Sequence, residues 1–100
     1  MKRDLIELST PGEVLKEEFL DPMGITPYAL AKAILVDPPR IDGIIKGKRK
    51  ITADTAIRLS KFFGTTPGFW TNMQSRYELE ALMEEKGAEF GKIRQHHSAS

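Results

Sequence analysis

Five helix starts are written into this chain, and they leave little room for anything but a small helical bundle. Thr10-Pro11-Gly12-Glu13 is a capping box with proline at the first helical position. Its helix is predicted to run to about Leu20, with Val14, Leu15 and Phe19 on one face, until Asp21-Pro22-Met23-Gly24 breaks it. Thr26-Pro27 starts a second, short helix to about Ile34, with Ile25 and Leu30 placed as a hydrophobic staple. Asp37-Pro38 starts a third, with Val36 and Ile41 as its staple and Ile41, Ile44 and Ile45 inward, ending near Gly47. Thr52 caps a fourth, whose inner face is Ala56, Leu59, Phe62 and Phe63, with Gly64 at its stop. Thr66-Pro67 caps a fifth and longest helix, to about Lys86, stopped by Gly87. Apolar residues recur at three and four throughout, and no alternating run of strand length occurs. The fold class read from this is all-α, one domain, with short loops.

Several functions are excluded by what is missing. The 100 residues contain no cysteine, so disulfides and thiolate metal sites are ruled out. The two histidines, His96 and His97, stand near the end of the sequence, and two ligands are too few for a specific ion. No nucleophile–base pair or phosphate loop is spaced to act. The chain is therefore expected to be no enzyme and to need neither cofactor nor metal. The longest unbroken apolar run, Ala33–Val36, is far below the ~20 residues of a membrane span. No signal peptide is legible, so a cytoplasmic location is the expectation.

The net charge of +1 hides an uneven distribution. Residues 1–25 carry 3 basic and 6 acidic side chains, residues 26–61 carry 8 and 3, and residues 62–100 carry 4 and 5. The basic middle coincides with two short helices joined by a tight turn, the arrangement of a helix-turn-helix. In that geometry the second helix enters the DNA major groove with its N-terminal residues foremost. The outward residues are Pro38, Pro39, Arg40, Asp42, Gly43 and Lys46. Arg40 is the strongest base reader among them, because its fork holds guanine O6 and N7 together. Lys46, Lys48, Arg49 and Lys50 are placed to neutralise phosphates. Thr26 and Tyr28 each offer a phosphate hydrogen bond at the start of the second helix. Taken alone, a run such as Lys46–Lys50 is as often a solvated loop; the helix-turn-helix context favours DNA.

The fifth helix has apolar residues to spare. Phe69 and Met73 read as core, whereas Trp70 and Tyr77 are types enriched at interfaces. With Leu79, Leu82 and Met83 they form the expected homodimer interface. Two such units on a two-fold axis read half-sites ~34 Å apart, so the DNA site is expected to be a pseudopalindrome.

The stretches Thr10–Pro27, Leu30–Ile34, Arg40–Ser60 and Phe62–Tyr77 together resemble the HigA/VapI-type antitoxins, a branch of the xenobiotic-response-element (XRE) helix-turn-helix family. GTTPGFWTNMQ, Gly64–Gln74, is the most specific piece. The resemblance implies a lambda-repressor-like domain of five helices with a longer C-terminal one. It also implies a type II antitoxin that silences a HigB-like, RelE-type mRNA-cleaving toxin and represses its own operon as a dimer. Acidic Glu13, Glu17, Glu18 and Asp21 on the first helix are the candidate toxin-facing side chains, with Glu84, Glu85 and Glu89 as a second set. The alternatives are an orphan repressor without a toxin, and a protein-interaction module that has lost DNA binding. The second is suggested by three departures: Leu35 stands where relatives usually have glycine, and Asp42-Gly43 where they usually have Asn-Glu. A left-handed Leu35 costs ~1 kcal/mol, and Asp42 either accepts from a cytosine or holds Arg40 in place. The division expected is an arm over residues 1–9, the DNA-binding unit with its dimerisation helix (about 66–86) over 10–87, and a disordered tail over 88–100.

Overall fold

The computed structural model describes residues 9–96, and within them the chain is helical without a strand. Helix α1 is continuous but not uniform: α-helical Pro11–Val14, π-helical Leu15–Leu20 and α-helical Asp21–Met23. Then follow α2 (Pro27–Ala33), α3 (Pro38–Ile45), α4 (Ala53–Phe63) and α5 (Pro67–Phe90). The expected arm lies outside the described residues up to position 8, as do residues 97–100 of the expected tail.

The helix starts follow the chemistry of their caps. Thr10 Oγ1 accepts from Glu13 N at 3.0 Å while Glu13 Oε1 accepts from Thr10 N at 3.0 Å. Thr26, Thr52 and Thr66 accept from Ala29, Thr55 and Phe69 N in the same way. Asp37 occupies the corresponding position before α3 but makes no side-chain cap bond. The first helix outruns its predicted stop because Pro22 is accommodated. A proline inside an α-helix loses one bond and drives its ring against the carbonyl four residues back. Here the preceding turn is widened, with Asp21 N donating to Lys16 O five residues back, and α1 continues to Met23.

The helix ends share one device. Gly24 and Gly47 take left-handed φ of 66° and 77°, and the next N–H reaches back five positions, Ile25 N to Leu20 O and Lys48 N to Gly43 O. Leu35 does the same at φ 64°, with Val36 N donating to Ala31 O at 3.0 Å. A leucine therefore sits where the other two turns use glycine. Gly64 closes α4 at φ 80°. Gly87, predicted to stop α5, does not; the helix bends at Lys86 (φ −124°) and resumes to Phe90. Ala88, Glu89 and Phe90 have no conflict with helical backbone.

The core gathers Leu15 and Leu20 from α1, Leu30 and Ala31 from α2, Ile41 and Ile44 from α3, Ala56 and Leu59 from α4, and Trp70 from α5. An aromatic cluster fastens α1, α4 and α5 together. Phe19 lies 4.9 Å from Phe63 and 5.0 Å from Trp70, and Phe69 meets Trp70 edge-on at 5.0 Å. Phe62, expected inside, is 41% exposed and only leans on Phe63. Gly12 sets how close α1 comes to α3, since a Cβ there would fall on the Ile44 carbonyl.

Candidate nucleic-acid interface

The turn between α2 and α3 and the first residues of α3 are held from outside by α4. Arg58 donates through Nη1 to Ile34 O at 2.9 Å and Leu35 O at 3.3 Å, so it grips the left-handed turn. Its Nε donates to Asp54 Oδ2 at 2.8 Å. The same oxygen accepts from Arg40 Nη1 at 2.7 Å, and Arg40 Nη1 also lies 3.4 Å from Thr55 Oγ1. Two guanidiniums, Arg58 first and Arg40 second, hold the Asp54 carboxyl below its ordinary value. Arg40 is thus not tethered by Asp42, as one sequence expectation had it. Asp42 pairs instead with Lys46, one turn on, at 3.0 Å. Neither Asp54 nor Arg58 was singled out by sequence; the only signal was their i, i+4 spacing, which marks an ion pair but not what it grips.

The residues chosen from sequence for DNA fall into two groups. Tyr28, Pro38, Pro39 and Asp42 line one shallow cavity of about 420 Å³ with Pro27, so the starts of α2 and α3 lie side by side. Thr26 spends its oxygen on the cap of α2. Tyr28 is exposed, and the Lys32 ammonium sits 5.7 Å from its ring centre. The second group is the loop after α3. Lys46, Lys48, Arg49 and Lys50 are all exposed. Lys50 approaches Glu78 at 4.0 Å, whereas Lys48 and Arg49 make no ion pair among the described residues. Gly43 has a use that its low helix propensity concealed. A Cβ there would stand 2.9 Å from Cγ and Cδ of Arg49, and its carbonyl accepts from both Lys48 and Arg49 N. The glycine therefore lets the basic loop fold back on α3. Gln74, also missed from sequence, is buried and accepts from Ile51 N at 2.9 Å, tying the end of that loop to α5.

The candidate dimer residues separate. Trp70 is fully buried, its Nε1 donating to Thr65 Oγ1 at 2.8 Å, so it belongs to the core and is withdrawn from the interface. The α5 register turns it onto Phe19 of α1, while Phe69, expected inside, is 42% exposed. Tyr77 is half-buried and lines a cleft with Thr10, Gly12 and Lys48. Leu79, Leu82 and Met83 are exposed on the distal half of α5. Of the acidic residues on α1, Glu13 is engaged in the cap and Asp21 pairs with Lys16 at 3.0 Å. Glu17 and Glu18 are exposed.

A helix-turn-helix family model matches residues 15–70. Virulence-associated protein I of Dichelobacter nodosus is 50% identical over 76 residues, covering 76% of this chain and 70% of that protein. Antitoxin HigA-1 of Vibrio cholerae is 47% identical over 68 residues, covering 68% of this chain and 64% of that protein. Among solved structures, the Pseudomonas aeruginosa antitoxin HigA with the higBA promoter superposes with a TM-score of 0.85 at 38% identity, over 89% of this chain and 97% of that one.

Proposed function

The chain belongs to the XRE-type helix-turn-helix family that includes the HigA antitoxins and Virulence-associated protein I, and from that premise we propose that it is a DNA-binding antitoxin that represses its own operon as a dimer and neutralises a HigB/RelE-type mRNA-cleaving toxin. The observation that carries the DNA part is the partly exposed start of α3 beside a loop whose Lys48 and Arg49 make no ion pair among the described residues. Arg40 reads a base from the first turn of α3. Lys48, Arg49 and Lys50 neutralise phosphates, and Thr26 and Tyr28 set register on the backbone. The left-handed Leu35 does not undo this arrangement, because Arg58 ties both carbonyls of that turn. The working unit is residues 10–87, with α5 as the dimerisation helix through Leu79, Leu82, Met83 and the edge of Tyr77. Exposed Glu17 and Glu18 offer charge complementary to a basic ribonuclease.

The test is binding to the chain's own promoter at several salt concentrations. Arg40→Ala is expected to cost ~1–3 kcal/mol and relax one operator position. Lys48→Ala is expected to weaken binding evenly and lower the salt slope by about one. Wild-type binding by both variants overturns this placement of the interface. Co-expression with the adjacent reading frame tests the toxin. A complex that relieves growth arrest supports the antitoxin, and no complex leaves the orphan repressor.

A further inference from the structure

We propose that Asp54 is a positioning residue for sequence reading: by holding Nη1 of Arg40 it presents the remaining Nε–Nη2 edge in one orientation, and so sets the base preference at the position that Arg40 contacts. The inference rests on α3 being the recognition helix, and it goes beyond that reading by assigning specificity to a residue outside it.

Three observations carry it. The first is the geometry of the hold. Among the described residues Arg40 uses only Nη1, to Asp54 Oδ2 at 2.7 Å and Thr55 Oγ1 at 3.4 Å. Its Nε and Nη2 make no hydrogen bond to described residues, so one two-donor edge of the fork stays available for a guanine O6/N7 pair. A free arginine loses much rotamer entropy on being fixed, and it settles for a phosphate as readily as for a base. A buttressed one has been ordered before DNA arrives.

The second is the placement of the carboxylate. A surface groove of about 520 Å³ is lined by four cations, Arg40, Arg49, Lys50 and Arg58, and Asp54 is the one acidic residue in its wall. A polyanion docking there gains from each cation and loses at Asp54. For affinity alone the carboxylate is unfavourable; for discrimination it is useful, because it repels backbone and directs Arg40.

The third is where the buttress is anchored. Asp54 Oδ2 is shared with Arg58, and Arg58 is bound to the carbonyls of Ile34 and Leu35. The oxygen that orients Arg40 is thus referenced to the turn that sets the angle between α2 and α3. A displaced turn would displace the reading edge with it.

The experiment measures affinity of the full-length protein for its promoter duplex, for duplexes changed at one base pair each, and for an unrelated duplex, at fixed salt. Arg40→Ala locates the base pair that Arg40 reads. Asp54→Asn is expected to reduce discrimination at that same base pair about tenfold, to leave the other positions unchanged, and to raise affinity for the unrelated duplex. The double variant is expected to discriminate no worse than Arg40→Ala alone, because Asp54 acts through Arg40. A merely structural Asp54 lowers binding to all duplexes alike, and that result overturns the proposal while leaving α3 as the recognition helix. Wild-type binding by Arg40→Ala and Lys48→Ala together overturns both. Circular dichroism accompanies each variant, and Asp54→Ser, which retains an oxygen in the first turn of α4, replaces Asn if that protein fails to fold.

Discussion

The two halves of α5 are one helix with two unlike surfaces. The first half buries Trp70 and Gln74 against α1, α4 and the loop after α3. The second half buries nothing, and it carries Leu79, Leu82 and Met83 into solvent, with Leu79 64% exposed. The preceding helices pack their core onto the first half and leave the second half uncovered. The difference teaches that helix length in this chain is set by two tasks, closing the core and offering a second apolar stripe. Their spacing at i, i+3 and i+4 makes that stripe one face.

The sharpest way to break the contrast is to truncate one large side chain on each side of it. Trp70→Ala removes the centre of the aromatic cluster and is expected to cost about 3–5 kcal/mol, which approaches the whole stability of a domain this size. Leu82→Ala is expected to change the unfolding of the monomer by less than ~0.5 kcal/mol but to lower the self-association constant. Urea denaturation over a range of protein concentrations reads both, since dimerisation makes the midpoint concentration-dependent. Equal losses from the two variants would erase the distinction.

A second substitution probes how the body holds α3, the proposed recognition helix. Gly12→Ala sets a methyl against the Ile44 carbonyl, where backbone rather than a flexible side chain must yield. The expected cost is about 1–3 kcal/mol, with weaker operator binding because α3 is pushed at its C-terminal end. The same change at Gly68, whose nearest neighbours are the ends of the Asn72 and Thr66 side chains, is expected to be tolerated. Chemical denaturation and promoter binding on both variants check this.

How much of this was legible in the sequence depends on the range of the physics. Helix starts, and the stops at Gly47 and Gly64, were readable because a Thr cap or a left-handed glycine acts within four residues, whereas the stops set at Asp21-Pro22 and Gly87 were not, because a widened turn and a bend let those helices continue. The five-helix order follows from that, whereas the left-handed backbone at Leu35 was flagged only by the resemblance to relatives that carry glycine there. Trp70 was misplaced because its side of α5 is decided by where Phe19 of α1 docks, 51 positions earlier in the chain by numbering. Phe62 and Phe63 are adjacent and equally apolar, and only packing chooses between them. Arg40 was singled out by residue type, but its partner Asp54 lies 14 residues on, beyond any local pattern. Gly43 looked like a defect, because its use is room for a side chain that folds back from position 49.

Leu35 offers a smaller test within the body. A left-handed leucine costs roughly 1–2 kcal/mol, and glycine gives back part of that gain through its freer unfolded chain. Leu35→Gly is therefore expected to stabilise the protein by about 0.5–1 kcal/mol. Because Leu35 is 80% exposed, little packing is lost in exchange. Thermal unfolding reads the gain. A loss instead would mean that the leucine side chain makes a contact that outweighs its backbone strain.

The smallest expected effect concerns pH and tests a charge contact of the body rather than its packing. Arg58, and after it Arg40, lower the pKa of Asp54 from its ordinary 3.8. A folded-state pKa that lies below the unfolded one stabilises fully above the unfolded value and is lost as pH falls through the folded one. The stability difference between wild type and Asp54→Asn is thus expected to stay constant from pH 5 to pH 8, then shrink below about pH 3.8 as the carboxyl takes up its proton. The side chain is more than half exposed, so solvent and salt screen the pair and the difference is small. Melting both proteins across that range at low salt decides it. A gap that persists at the acid end would show that Asn disturbs α4 by something other than the lost charge. Charge and shape at Asp54 would then have to be separated before its hold on Arg40 is credited to either.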